Sequence, residues 1–372
     1  MLPQVVFVQN SVHLAGAQKS LSRLLTAPAM QEHDPILLTG QEGWLTEHCQ
    51  EHRVKWLRLP FPASRSLPAR MIGNRLFAKK AAKILAQSLQ PGRPIIVHTN
   101  DHPDSLLGLA LARELSALPV LTLRTPGMSL RDFEKYHCSN HAHLIAVGDD
   151  LFHKVHPWVS GKRPLTLVHN GVTEAEILAP LLSGLESVTR LLVLGSIIPR
   201  KGWQDLMEAL LILEKRLPPG PVPEIDFLGD LLGTKPEDVL ATHRLTRFKV
   251  SFLGVRKEYR ACLRQYSLAV HPSRSESFGM AALECVAAGV PLLAAATGLI
   301  PEFVLQSSFL FPPQDSAALA DRLEHLIKLP PPGRIAEFHF ESVHQVVRDR
   351  FSTPGTVRKL KGIYAGLLSQ SA

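Results

Sequence analysis

Short apolar, β-branched runs alternate with longer stretches of helical periodicity along the whole chain, and this alternation leaves few folds open. Strands separated by helices are joined by crossovers, and crossovers within one sheet give parallel neighbours covered on both faces. The first series is QVVFVQN (4–10), PILLTG (35–40), VKWLRLP (54–60), PIIVHTN (94–100), PVLTLRT (119–125), HLIAVG (143–148) and PLTLVHNG (164–171). The second is TRLLVLGSII (189–198), EIDFLGD (224–230), KVSFLG (249–254), SLAVHPS (267–273), VPLLAAA (290–296) and SFLFPP (308–313). The pattern predicts two Rossmann-like, doubly wound α/β domains facing across a cleft. The first covers 1–171, a linker 172–188, the second 189–343, and a helical tail, 344–372, returns to the first domain. With 372 residues, 45% of them apolar, the chain can fill two cores. Open α/β sheets bind ligands at the carboxyl ends of their strands, where strand order reverses, and candidate residues are sought there.

Several classes are excluded early. Cys49, Cys138, Cys262 and Cys285 include no C-x-x-C pair, which argues against a zinc knuckle or disulfide framework and for a reduced, cytoplasmic protein. The opening MLPQVVFV has no basic stretch ahead of its apolar residues, and the weakly polar run 285–300 is short for a membrane span and contains Gly289 and Pro291. Among 17 histidines, neither H-E-x-x-H nor a close His/Cys cluster with an orienting carboxylate is evident. His137, His141 and His143 read as a solvated helix end, and no metal site is expected. The net charge of +8 is uneven: residues 1–170 hold 19 Lys+Arg against 12 Asp+Glu, residues 171–372 hold 22 against 21. LPARMIGNRLFAKKAAKILAQSL (67–89) alternates apolar and basic residues at helical spacing, so residues 65–83 are expected to meet an anionic membrane surface or a phosphorylated acceptor. Aromatic residues make up 6%, too few for interleaved stacking on bases, and nucleic acid is not an expected partner.

Two stretches carry the chemistry. In residues 267–295 a strand ends at His271–Pro272, a polar loop runs over 273–277, and a helix is expected from near Phe278 to just before Gly289. Backbone N–H groups of Phe278, Gly279 and Met280 would then favour an anion at that helix start. Glu276 and Glu284 stand eight residues apart, about 12 Å along a helical rise, so one carboxylate can serve each end of a hydroxyl-rich ligand. In LGSIIPRKGWQDLMEAL (194–210), Arg200 and Lys201 lie beside a strand end and suit phosphate oxygens.

Within its P-S-x-x-E-x-F-G setting, the E-x7-E run resembles the donor-site signature of retaining family-4 glycosyltransferases of the GT-B fold, with lipopolysaccharide-core enzymes among the closest in kind. The resemblance implies that Glu276 acts on the donor sugar and Glu284 binds the ribose hydroxyls. It also implies that Ser277, Phe278, Gly279 and Met280 line the sugar and diphosphate. The second stretch is similar to the family's G-R-x-x-x-x-K-G, with Ser196 in place of the arginine, which leaves Arg200 and Lys201 for the diphosphate. QNSVHLAGAQKSL (9–21) is similar to the G-G-x-E loop, keeping Gly16 but with Ala15 for the first glycine and Gln18 for the acid. In VHTNDHPDSLLG (97–108), relatives have H-x-H where this chain has His98 and Asn100. Asn100 is therefore expected as a catalytic residue at a sugar hydroxyl, with Asp101 or His102 as related candidates and helix capping as the alternative. RTPG (124–127) replaces a His-Gly pair, while HNGV (169–172) and Gly298–Glu302 resemble N-G-V-D and G-x-x-E and read as hinge or packing features.

The resemblance implies a retaining, metal-independent hexosyltransferase that moves a sugar from a nucleotide-diphosphate sugar to a glycan or lipid-linked acceptor. Bacterial envelope polysaccharide or lipopolysaccharide is the expected product. No cofactor is expected, since no D-x-D occurs, and the location implied is cytoplasmic, extending to the inner face of the membrane. A nucleotide-sugar epimerase of similar architecture and a non-catalytic anion-binding protein are the alternatives.

Overall fold

The computed structural model describes residues 1–62, 67–125, 127–159, 161, 163–180 and 190–371; of residues 67–71, 331 and 371 only the backbone is described. Residues 181–188 of the expected linker, 65–66 of the basic segment and Pro126 lie outside the described residues. The chain divides into two units: residues 1–171 with the chain from Phe351 onward, and Val172–Arg350.

The first unit is built on a parallel sheet of seven strands: β1 (Gln4–Val8), β2 (Ile36–Thr39), β3 (Lys55–Arg58), β4 (Ile95–Thr99), β5 (Leu118–Leu123), β6 (His143–Ala146) and β7 (Leu165–Leu167). Their order is β3-β2-β1-β4-β5-β6-β7, so strand order reverses between β1 and β4. Side chains alternate across the sheet. Val5, Phe7, Leu37, Ile96, Val120 and Ile145 enter one core, and Val6, Val8, Ile36, Leu38 and Val97 enter the other. Helices Leu67–Leu85 and Ser105–Glu114 close the second core with Phe77, Ala81, Leu107 and Leu111.

The first core is closed by helix Gly16–Thr26 and by the last helix of the chain, Thr353–Ser371. That last helix inserts Val357, Leu360, Ile363, Tyr364 and Leu367, a stripe at helical spacing. Buried polar groups lock it further. Tyr364 and Thr122 place their hydroxyls 2.6 and 2.7 Å from Nδ1 and Nε2 of His98, which is 2% exposed. The returning chain passes so close to Gly171 that a Cβ there would lie 2.2 Å from the Ser352 carbonyl carbon.

The tail does not travel as one piece. Helix Phe340–Arg350 packs on helix Met280–Ala287 and belongs to the second unit, so the chain passes to the first unit at residue 351 rather than 344. His344 shows why: its Nε2 lies 2.9 Å from the Val286 carbonyl oxygen, and it is buried.

The second unit has a parallel sheet of six strands: β8 (Arg190–Leu194), β9 (Glu224–Leu228), β10 (Val250–Phe252), β11 (Leu268–His271), β12 (Leu292–Ala295) and β13 (Leu310–Phe311). Their order, β10-β9-β8-β11-β12-β13, reverses between β8 and β11, which pair directly. The loops after β8 and β11 therefore leave side by side from the carboxyl edge. Each expected strand run coincides with one of the observed strands, though β5 starts one residue before its run and the last run of the first series, 164–171, shrinks to Leu165–Leu167. Among the described residues no disulfide joins the four cysteines, and no helix is long and apolar enough to cross a membrane.

Candidate functional site

At the switch point of the second sheet, β8 runs into Gly195, whose φ of +137° only glycine adopts freely, and onward to a 3-10 turn, Pro199–Lys201. Gly202 ends that turn at φ +65° and starts helix Trp203–Arg216. A Cβ on Gly202 would lie 1.9 Å from the carbonyl oxygen of Pro272, in the loop after β11. Three further bonds fasten the loops together: Arg274 N–H donates to the Arg200 carbonyl (2.9 Å), and the Arg274 guanidinium grips Asp205 through Nε and Nη2 (2.9 and 2.6 Å). A bidentate pair of this kind fixes orientation as well as distance.

The clamped loops bring Lys201 and Glu276 together. Lys201 Nζ donates to Glu276 Oε1 at 2.5 Å, and His271 Nε2 lies 3.1 Å from the same oxygen. Facing a carboxylate, His271 Nε2 is assigned the ring proton and donates it. Arg200 Nη1 donates to the Ser275 carbonyl (2.7 Å) and stands 3.7 Å from Glu276 Oε2. Burial would raise the Glu276 carboxyl, but the charge of Lys201, the bond from His271 and the bond from Lys201 hold it well below the ordinary carboxylate range. Burial pushes His271 the other way, below its ordinary value, against the pull of Glu276. The result is an ionised carboxylate, 9% exposed, held by a cation and a neutral imidazole.

Beside this cluster lies a shallow pocket lined by Gly195, Ser196, Lys201, Trp203, His271 and Ser273, among others. Two buried polar atoms of its lining residues, Trp203 Nε1 and Ser273 Oγ, have no hydrogen-bond partner among the described residues. Buried donors are normally satisfied, so this pair beside a lysine is an unmet polar demand at the site. The helix after β11 begins at Met280, two residues after Phe278, with Gly279 capping it at φ +94° and Ile300 packed where a Cβ would fall. Phe278 and Glu284 are buried, and Gly298, at φ +54°, lies against the backbone of Glu276 as a packing feature.

The first unit treats its expected residues differently. Asn100, at the carboxyl end of β4, is 1% exposed: Nδ2 donates to Gln9 Oε1 (2.5 Å), and Oδ1 accepts from Arg124 Nε and Nη2 (3.1 and 2.9 Å). Its amide is a strut between Gln9 and Arg124. Arg124 also donates to the Asn170 side-chain oxygen, which accepts from Ser20 as well. Burial lowers the Arg124 guanidinium to about 10. Asp101 caps the turn His102–Asp104 by accepting from His102 N–H (2.8 Å) and faces His102 Nδ1 at 3.1 Å. Gly16 opens helix Gly16–Thr26, and Gln18 Nε2 donates to the Ser11 carbonyl.

Two histidine expectations also change. His141 is fully buried and His143 half-buried at the start of β6, not a solvated helix end. A close group of two histidines and a glutamate does exist, at His48, Glu51 and His52. His271, Ser273, Trp203 and the Arg274–Asp205 clamp were missed in the sequence. Only their positions within three residues of a strand end or a glycine turn could have signalled them.

Comparison with known proteins bears on the fold and the family. Residues 185–337 match the sequence model of the family described as glycosyl transferases group 1. An uncharacterized glycosyltransferase of Methanocaldococcus jannaschii is 26% identical over 215 residues, 55% of this chain and 56% of that protein. The N-acetyl-alpha-D-glucosaminyl L-malate synthase of Bacillus anthracis is 24% identical over 241 residues, 60% of each. The chain thus matches roughly half the length of these curated relatives. Among solved structures, Anabaena HepE in complex with UDP and glucose superposes with a TM-score of 0.78 at 17% identity, covering 98% of this chain and 99% of that one. A glycosyltransferase from Rickettsia africae gives 0.77 at 18%, covering 99% of each. The chain has the GT-B fold of two Rossmann-like units, and its second unit carries the group 1 glycosyltransferase pattern.

Proposed function

We propose that the protein is a retaining glycosyltransferase that takes a sugar from a nucleotide-diphosphate donor held by the second unit. The observation that carries this reading is the Lys201–Glu276–His271 cluster beside a pocket with orphaned donors, at the switch point of a sheet. Lys201, Trp203 Nε1 and Ser273 Oγ suit diphosphate oxygens. The ionised Glu276 suits the hydroxyls of the transferred sugar and stabilises positive charge on its ring as the leaving bond lengthens. Glu284, with Ser277 and the amides of Phe278, Gly279 and Met280, takes the ribose and phosphate side, and Gly16 is assigned to donor binding as well. The bond from the anomeric carbon to the phosphate oxygen breaks, and the acceptor oxygen bonds to the same face. The acceptor's proton passes to the departing phosphate. No step calls for a metal or cofactor. The UDP of the Anabaena complex supports a nucleotide donor.

We further read the acceptor as a glycan or lipid-linked glycan of the bacterial envelope, of the lipopolysaccharide kind, met at the cytoplasmic face of the membrane. Support comes from helix Leu67–Leu85, where Ile72, Arg75, Leu76, Lys79, Lys80 and Lys83 are all exposed at spacings that share one face.

Exchanging Glu276→Gln removes the negative charge while keeping the shape. Transfer of labelled sugar from donor should fall by about 100-fold or more, the scale of losing one electrostatic contact to the transition state. Thermal melting of the variant is followed in parallel to confirm that it remains folded. Wild-type turnover by a folded Glu276→Gln protein, or isomerised donor in place of transferred sugar, contradicts the assignment.

A further inference from the structure

We propose that His48, Glu51 and His52 form a binding site for one divalent transition-metal ion on helix Trp44–Glu51 of the first unit. The three side chains leave one helical face at i, i+3 and i+4. Their donor atoms all lie within 4.8 Å of one another, so small rotamer changes bring two imidazole nitrogens and a carboxylate oxygen around one ion at bonds of about 2.0–2.2 Å.

Two features prepare the imidazoles. His52 Nδ1 lies 3.0 Å from the His48 carbonyl oxygen, so it carries the proton and leaves the Nε2 lone pair facing outward. A backbone carbonyl on the far nitrogen is how metal-bound histidines are commonly oriented. The His48 ring is bracketed by Trp44, stacked at 5.5 Å, and by the His52 ring at 4.1 Å, which restricts its swing. A mixed set of nitrogen and carboxylate donors favours zinc, nickel or copper(II) over calcium or magnesium.

The order H-x-x-E-H also occurs in zinc peptidases. Here Glu51 and His52 are exposed and all three donors come from one helix, so the assignment is to metal binding and not to hydrolysis. A bound ion would join the last turn of the helix to the residue that caps it, just ahead of Arg53, where the chain turns at φ +55°. The site is independent of the transfer chemistry proposed above, and its test needs no activity measurement.

The full-length protein is titrated with zinc in competition with a chromogenic chelator, and its melting temperature is followed. Wild type should take up one saturable equivalent and melt higher with zinc, since an ion bound only to the folded form stabilises it. His52→Ala should bind at least about tenfold more weakly, and Glu51→Gln should be weakened in the same direction. His153→Ala, an exposed histidine on another helix, should bind like wild type. Failure of wild type to compete for one equivalent, or unchanged affinity in His52→Ala, overturns the proposal.

Discussion

Gly202 turns the chain directly under the Pro272 carbonyl, and the two loops that carry Lys201 and Glu276 meet at that contact. An alanine there must hold a left-handed conformation and place its Cβ into backbone that cannot yield as a flexible side chain would. Gly202→Ala should therefore cost at least about 2 kcal/mol in urea unfolding of the second unit. It should also weaken donor binding, because parting the loops separates Lys201 from Glu276. At this scale the sequence was partly readable. Lys201, Gly202 and Glu276 stood out because their spacing marks a strand-turn-helix edge. His271 did not, because a histidine ending a buried strand resembles any core residue until its nitrogen is seen facing Glu276. Asn100 is hard to read for the converse reason: a polar residue at a strand's carboxyl end can serve a ligand or a neighbouring arginine, and Arg124 lies 24 positions away in sequence.

Among elements, strands were the most readable, because a parallel sheet covered on both faces imposes continuous apolar runs. Helix ends were less so. Helix Phe340–Arg350 and helix Thr353–Ser371 look alike in pattern, and only the partners of His344 and Tyr364 assign them to different units. Helix Leu67–Leu85 poses another problem of assignment, since its exposed stripe joins Ile72 and Leu76, each 65% exposed, to four cations. Basic residues near an anionic leaflet contribute about 1 kcal/mol each. Neutralising Arg75, Lys79, Lys80 and Lys83 to glutamine should thus lower affinity for vesicles containing anionic phospholipid by about 100-fold or more. Affinity for neutral vesicles should be little changed. Equal binding of wild type and the quadruple variant in a flotation assay would remove the membrane reading.

Across the molecule, buried histidines set the acid limit of stability. Burial pushes His98 down to about 3 and His141 to about 4, with smaller contributions to His98 from Arg124 and the neighbouring histidines. Above pH 6.5 both are neutral in folded and unfolded chains and contribute nothing. Below it, the unfolded chain takes up protons that the folded first unit refuses. Stability then falls by about 1.4 kcal/mol per pH unit for each histidine, or about 3 for the two, from roughly pH 6 to pH 4. Urea midpoints of the first unit between pH 7.5 and 4.5 measure this, and the decline should begin before carboxylates titrate. A flat profile to pH 5 would show that these histidines are hydrated.

His98 owes part of that burial to the last helix, and the arrangement has a consequence for how the protein is made. During synthesis the ribosome releases the first sheet early, yet Val357, Leu360, Ile363, Tyr364 and Leu367, which cover one of its faces, emerge after the whole second unit. The N-terminal sheet must wait with one apolar face only partly covered while some 180 residues are added. Chaperone dependence and sensitivity to C-terminal truncation should therefore fall on the half of the protein that is translated first.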